Sequence, residues 1–301
     1  MRAVLDVGTN SVRLLLAELH GEIVKPVRRE VRVTRLGQGV DASGELRPDA
    51  MARTLGALEE LMTLVPPGTP TSIMATSAVR DAKNKGEFAR LVEERLGLSL
   101  KILSGLQEAE LSFRGALSSL RAYELIDPIT VVDIGGGSTE IYTGRIGGEL
   151  LGGGSLQIGA VRLLERYGDH RLPTPEEIAE ILRPVIEENL AFQPKTLVAV
   201  GGTATSLAAI IQELQVYSDE KVMGSVFSLR ELEDCYAKLG RLSLEERRQI
   251  PSLQAGREDI IVYGAAILIQ VASLLGFSRI MVSIGDLLSA QLAAEGNGGI
   301  D

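Results

Sequence analysis

The chain has a single cysteine, Cys235, only two histidines and no tryptophan. One cysteine excludes an internal disulfide and fits a reducing compartment. One cysteine with two histidines cannot build a zinc site of the usual kind, so a metal is expected as Mg²⁺, Mn²⁺ or Ca²⁺ on carboxylates and ligand oxygens. Positive charge is scarce. Lys and Arg total 31 against 40 Asp and Glu, a net charge of −9. That excludes a non-specific nucleic-acid coat, but not a small polyanion held in a local positive field. No signal peptide is visible ahead of the first strand-like segment, and a cytoplasmic location is expected. One long run has no charge, the 18 residues Ile260–Phe277. It carries Tyr263, Gln270 and Ser273 and stands alone, which favours a buried core helix over a membrane span.

What is present is an ordinary globular composition, 45 % hydrophobic, over 301 residues, enough for about two domains. The segments 3–6, 11–18 and 23–34 read as a β-meander with glycine turns. A helix is expected over 48–65, a strand over 71–76, a helix over 87–96, a strand over 98–103 and a helix over 107–123 with Ser104 as N-cap. After Asp127-Pro128 the pattern restarts. Strands are expected at 129–133, 139–145, 150–157, 195–200 and 279–283. Helices are expected at 159–167, 175–191, 203–215, 229–239, 243–249, 258–276 and 286–295. His170 sits in a polar loop and is expected to have no specific role.

An internal repeat organises these elements. Asp6-Val7-Gly8-Thr9-Asn10-Ser11 recurs 127 positions later as Asp133-Ile134-Gly135-Gly136-Gly137-Ser138. Each copy is a strand, a glycine turn and a returning strand. Two such copies predict an α/β chain of two similar domains facing a common cleft. The expected domains are 1–124, completed by a C-terminal helix within 287–301, and 125–286.

The turns suit phosphate. Glycine lets the backbone approach a ligand and lets successive N–H groups converge, and Thr9, Asn10, Ser11, Ser138 and Thr139 add side-chain donors. Asp6 and Asp133 end the two strands. A carboxylate beside phosphate repels it unless a cation or a positioned water intervenes, so a divalent metal is expected. Glu140, on the returning strand, is a further metal or water ligand. Gly202 and Thr203 open a helix after a strand, an arrangement suited to an anion. Arg80, following a strand end, has the planar fork that clamps phosphate. Glu108 and Glu110 both lie in a helix first turn, and spacing alone does not choose between them as a general base. Arg162 is expected in a surface salt bridge, and Cys235 is expected to be structural.

The segments DVGTNSVRLLLAE, ATSAVRDAKN, SGLQEAE, DIGGGSTEI, GAVRLLERY and VAVGGTATSLAAI, in this order, resemble the exopolyphosphatase / guanosine pentaphosphate phosphatase (Ppx/GppA) family, in its short two-domain form. The resemblance implies two ribonuclease H-like domains of the actin-like ATPase superfamily and hydrolysis of a terminal phosphoanhydride with Mg²⁺, or Mn²⁺ in its place. It implies Glu108 as the base for the attacking water. Asp133, Glu140 and Asp6 would serve the metal. Gly8, Thr9, Asn10, Ser11, Arg80, Gly135, Gly136, Gly137, Ser138, Thr139, Gly202 and Thr203 would serve the phosphates. The implied substrate is inorganic polyphosphate, with pppGpp as the alternative. A weakly active (p)ppGpp or phosphate sensor is the reading from another class. No nucleic-acid or membrane partner is expected, and a homodimer is compatible with the sequence. Two positions depart from the family pattern. Ser283–Ala290 replaces a loop that usually carries an acidic residue and an arginine, and Gln107 stands where an acidic residue is frequent. Arg28, Arg29, Arg32 and Arg35 are candidates for a basic groove that would favour a polymer.

Overall fold

The computed structural model describes residues 1–21, 23–168 and 171–296. His170 and residues 297–301 of the expected C-terminal helix lie outside them. The chain forms two compact units, residues 1–111 with the chain from Leu287 onward, and residues 112–286. The divisions fall inside one helix, between Leu111 and Ser112, and just before another, at Asp286/Leu287.

In the first unit, β1 (Arg2–Val7), β2 (Ser11–His20) and β3 (Ile23–Val33) form the expected antiparallel meander. A one-turn helix, α1 (Val40–Ser43), and the longer α2 (Pro48–Met62) follow. Next come β4 (Thr71–Ala75), α3 (Ser77–Asp81), α4 (Lys85–Leu96), β5 (Leu100–Ile102) and the start of α5 (Gly105–Ser119). The sheet order is β3-β2-β1-β4-β5, with β4 parallel to β1. The central strand is buried on both faces, which is why β1 reads as a continuous apolar run. Ala3, Leu5 and Val7 pack with Leu55, Leu58 and Phe88, whereas Val4 packs with Met74, Leu103 and Leu292.

In the second unit the same grammar returns. It comprises β6 (Ile129–Ile134), β7 (Thr139–Gly144), β8 (Leu150–Leu156), α6 (Ala160–Tyr167), α7 (Pro175–Ala191), β9 (Thr196–Val200) and α8 (Gly201–Ile211). It continues with α9 (Asp219–Val222), β10 (Val226–Ser228), α10 (Leu229–Arg241), α11 (Leu244–Arg248), α12 (Ile261–Leu274) and β11 (Arg279–Val282). The order β10-β11-β9-β6-β7-β8 again pairs an antiparallel meander with parallel strands. The last helix, α13 (Leu287–Gly296), packs on β1 and β2 of the first unit.

The glycine-rich β8 has a packing reason. A Cβ at Gly152 would lie 2.6 Å from Glu188 Oε1, and one at Gly154 would lie 2.9 Å from Val185, so the bare backbone lets α7 settle onto the strand. The uncharged run is a core helix. With 14 residues, α12 spans about 21 Å, short of the ~30 Å hydrocarbon layer, and it is buried among Leu207, Leu232 and Ile280. No helix among the described residues is long and apolar enough to cross a membrane.

Candidate active site

The two glycine turns are built alike. Gly8 N–H donates to Ser11 O, and Gly135 N–H donates to Ser138 O, both at 3.0 Å. Behind each turn a following segment takes the carbonyls. Thr9 O accepts from Gly37 N–H, and Asn10 O accepts from Thr34 and Arg35 N–H. Gly135 O accepts from Ala160 N–H, and Gly136 O from Val161 and Arg162 N–H. Gly137 O takes the Arg162 guanidinium at 2.8 Å. Arg162 therefore braces the turn. In a trans peptide the C=O and the next N–H point oppositely. Fixing the carbonyls of Thr9 and Asn10, and of Gly135 through Gly137, turns the following N–H groups the other way, as an anion-binding concavity requires.

Side-chain donors divide clearly. Asn10 is 7 % exposed, and neither its Oδ1 nor its Nδ2 has a hydrogen-bond partner. Buried amides are seldom left so, and such a group points to a ligand. The hydroxyls of Thr139 and Thr203 are instead engaged inside the fold, on Ile158 O at 2.6 Å and Ile134 O at 3.1 Å. They do not supply the donors expected of them, because both are held against main chain in the core of the second unit.

Arg80 sits on α3, a helix too short to show periodicity. Its Nη1 meets Glu108 Oε2 at 2.6 Å and Leu103 O at 3.2 Å, while Nη2 is buried without a partner. Glu108 is in the first turn of α5, where a carboxylate is favoured by the helix dipole. Gln107, which departs from the family pattern, keeps a capping role that Glu or Gln can fill. Its side chain accepts from Ser104 N–H at 2.9 Å while Ser104 Oγ accepts from Gln107 N–H at 3.2 Å, so it completes a capping box one residue before Glu108. Asn84 adds a clamp, bonding Leu46 through both N–H and C=O and tying the loop after β3 to the segment that carries Arg80.

The repeat places different partners beside its two aspartates. Asp6 is paired across the strands with Arg13, and Asp133, 127 residues on, with Glu140. Directly opposed residues of an antiparallel pair share a face. Asp6 Oδ2 accepts from Arg13 Nε at 2.9 Å and Nη2 at 2.7 Å, so its charge is matched. Asp133 instead stands beside a second carboxylate. Ser112 Oγ donates to Asp133 Oδ2 at 2.7 Å, and Ser155 Oγ to Glu140 Oε1 at 2.6 Å. Gly201, at φ +80°, lets the Asp133 carboxylate approach the start of α8; a Cβ there would lie 2.5 Å from Oδ1. At Gly202 the Arg257 guanidinium covers the bare Cα, 2.1 Å from where a Cβ would be.

The profile of the Ppx/GppA phosphatase family matches residues 15–287. The chain belongs to the Ppx/GppA phosphatase family. It is 35 % identical to exopolyphosphatase 2 of Mycobacterium tuberculosis over 309 residues, covering 95 % of each chain. A solved Ppx/GppA family member from Aquifex aeolicus is 29 % identical, with a TM-score of 0.78 over 97 % of this chain and 96 % of that one. An exopolyphosphatase from Cytophaga hutchinsonii is 25 % identical, with a TM-score of 0.90 over 99 % and 98 %. Two α/β units, each with an antiparallel meander joined to parallel strands, agree with the two similar domains expected from the repeat.

Within this Ppx/GppA chain, the divergent 283–290 segment begins as a packing joint. Ser283 Oγ lies 2.8 Å from Ser119 Oγ, and a Cβ at Gly285 would collide with Gly115 O. The candidate basic groove is partly neutralised. Arg28 meets Glu30, and Arg32 meets both Glu30 and Glu60. Arg13, Arg257, Ser112 and Ser155 were not singled out by the sequence. For Arg13 a signal existed, since the 127-residue offset sets it against Glu140. Ser112 reaches Asp133 across 21 residues and leaves no local trace.

Proposed function

We propose that this protein hydrolyses the terminal phosphoanhydride of inorganic polyphosphate and releases orthophosphate. The observation that carries the reading is the set of buried donors without partners, the Asn10 amide and Arg80 Nη2, both at positions expected to bind phosphate. The similarity to exopolyphosphatase 2 supports the same substrate class.

Phosphoryl transfer asks the protein mainly to position water and match charge. The Gly8–Ser11 and Gly135–Ser138 turns and Arg80 would bind phosphate oxygens. Glu108 would take a proton from water as its oxygen attacks the terminal phosphorus. The bridging P–O bond then breaks, and the chain leaves one phosphate shorter. Asp133 and Glu140 fit a divalent cation. They are opposed carboxylates on one face, and no group of three His, Cys, Asp or Glu side chains suited to a metal is present among the described residues. Two carboxylates completed by phosphate and water oxygens are a usual Mg²⁺ arrangement, and Mn²⁺ accepts the same donors. Asp6 fits less well, because Arg13 already matches its charge. When bound, the cation would neutralise phosphate charge and polarise its oxygens. A cytoplasmic setting belongs to the same reading.

The test is orthophosphate release from polyphosphate and from pppGpp, with Mg²⁺ and with EDTA. Release from polyphosphate at the higher kcat/KM, abolished by EDTA and restored by Mg²⁺ or Mn²⁺, is expected. A preference for pppGpp would reassign the substrate. Phosphate binding without release from either would leave a sensor.

A further inference from the structure

The side chain assigned to phosphate also holds the candidate base. Arg80 Nη1 donates to Glu108 Oε2 at 2.6 Å and to Leu103 O at 3.2 Å. A terminal guanidinium nitrogen carries two hydrogens, so both are spent, one on the carboxylate and one on the main chain just past β5. The bond to Leu103 anchors the guanidinium plane, and the bond to Glu108 then sets the carboxylate relative to that plane. Nη2 lies in the same plane and is buried without a hydrogen-bond partner. Glu108 is buried too, and its N–H is tied to Ser104 O at 2.9 Å where α5 starts. The elements that meet here are neighbours in the first unit. β4 and β5 run parallel, α3 follows β4, and α5 follows β5. Lys85 Nζ donates to Arg80 O at 3.0 Å, so the main chain that carries the guanidinium is held as well.

A glutamate side chain has several torsions, and a general base works only from within hydrogen-bond reach of the proton that it removes. A charge-assisted bond from an anchored, planar donor takes that freedom away. We propose that Arg80 is a positioning residue for Glu108, so that base and substrate phosphate are set from one guanidinium plane. The proposal rests on the reading of Glu108 as the base and of Arg80 as a phosphate contact. It makes turnover depend on Arg80 through Glu108, apart from the effect of Arg80 on substrate binding.

The experiment is a double-mutant cycle on the full-length protein. It reads kcat and KM separately, for orthophosphate release from polyphosphate of defined length at saturating Mg²⁺, with thermal unfolding of each variant. Lysine keeps the charge but lacks the planar fork. Arg80→Lys is therefore expected to raise KM and to lower kcat roughly 10–100-fold, the cost of a reacting group displaced by about 1 Å. In the Glu108→Gln background the same substitution should leave kcat within about twofold of Glu108→Gln alone, because no base remains to be positioned. KM should rise by the same factor in both backgrounds. Arg80→Gln carries the same cycle if the lysine variant does not fold. An equal loss of kcat in both backgrounds would overturn the proposal, since a structural arginine, or one acting on the phosphate alone, gives that result. A folded Arg80 variant with kcat within about twofold of wild type would overturn it too. A KM that moves in neither background removes Arg80 from the phosphate contacts and overturns the shared plane. If Glu108→Gln turns over like wild type, the base reading fails and the proposal with it. If Glu108→Gln is slow while the cycle is additive, the base reading stands and only the positioning role is rejected.

Discussion

Replacing Glu108 by Gln separates chemistry from architecture at one position. Glutamine has the same length and keeps an oxygen that can accept from Arg80 Nη1, now 2.6 Å from the carboxylate. The Ser104–Gln107 capping box that starts α5 does not involve the substituted atoms. The fold should therefore persist, with a loss of about 1 kcal/mol as a charge-assisted bond becomes a neutral one. What disappears is the proton acceptor. Loss of a general base lowers turnover by roughly 10²–10⁴, or about 2.7–5.4 kcal/mol on the barrier. KM should move little, because the donors assigned to phosphate are Asn10, Arg80 and the turns. Glu108→Ala should be less stable than Glu108→Gln, because it strands a guanidinium that is 17 % exposed beside an empty space; about 1–3 kcal/mol is expected. The assay is steady-state orthophosphate release from polyphosphate of defined length at saturating Mg²⁺, with a denaturant melt on each variant. Folded Glu108→Gln that turns over within threefold of wild type would refute the assignment of the base.

Three further outcomes follow from the packing. Gly224→Ala places a methyl 1.9 Å from the Tyr123 ring at a residue with φ +68°, so a loss of about 1–3 kcal/mol is expected in a urea melt. Adding Tyr123→Ala should recover the steric part and leave the backbone strain. Burial pushes the Cys235 thiol up to about 11, so at pH 8 its labelling by a disulfide reagent should be about two orders of magnitude slower than that of a free cysteine, and one thiol should appear on unfolding. The Arg171 guanidinium, with the Thr174 N–H, holds Glu177 down to about 2. A depressed carboxylate adds stability above its ordinary value near 4.5 that is lost as pH falls toward 2. Melting temperature should therefore fall more between pH 5 and pH 2.5 in wild type than in Glu177→Gln, and equal slopes would remove that residue from the acid response.

The elements most legible in the sequence were those with their own local chemistry. The meander declared itself through apolar strands and glycine turns, and α12 through an uncharged run that had to be buried. The register of the repeat was legible too, since Gly8 and Gly135 make the same N–H bond to Ser11 and Ser138. The losses were short or non-local. Five residues of α3 and three of β10 are too few to show a period. The loop between β3 and α2 holds its shape through bonds to Thr9, Asn10 and Asn84, none of which its own sequence announces. The donors of Thr139 and Thr203 looked available because their residue type suits phosphate. Only tertiary packing reveals that both are bound to carbonyls.

The repeat also shows how a duplicated motif can divide its labour. Identical strand registers put residue 13 opposite Asp6 and residue 140 opposite Asp133, so one side chain at that position sets the charge of each row. An arginine closes the first row electrostatically and leaves its turn with neutral and cationic donors, Asn10 foremost, that suit an anion directly. A glutamate instead sets a second carboxylate beside Asp133, with hydroxyls of Ser112 and Ser155 donating to the pair. The glycine turns are alike in their backbone, each closed by a Gly N–H to Ser O bond at 3.0 Å. The residues beneath them differ in charge, an arginine opposite Asp6 and a glutamate opposite Asp133. The asymmetry between Arg13 and Glu140 is therefore a difference of charge built onto one shared turn geometry.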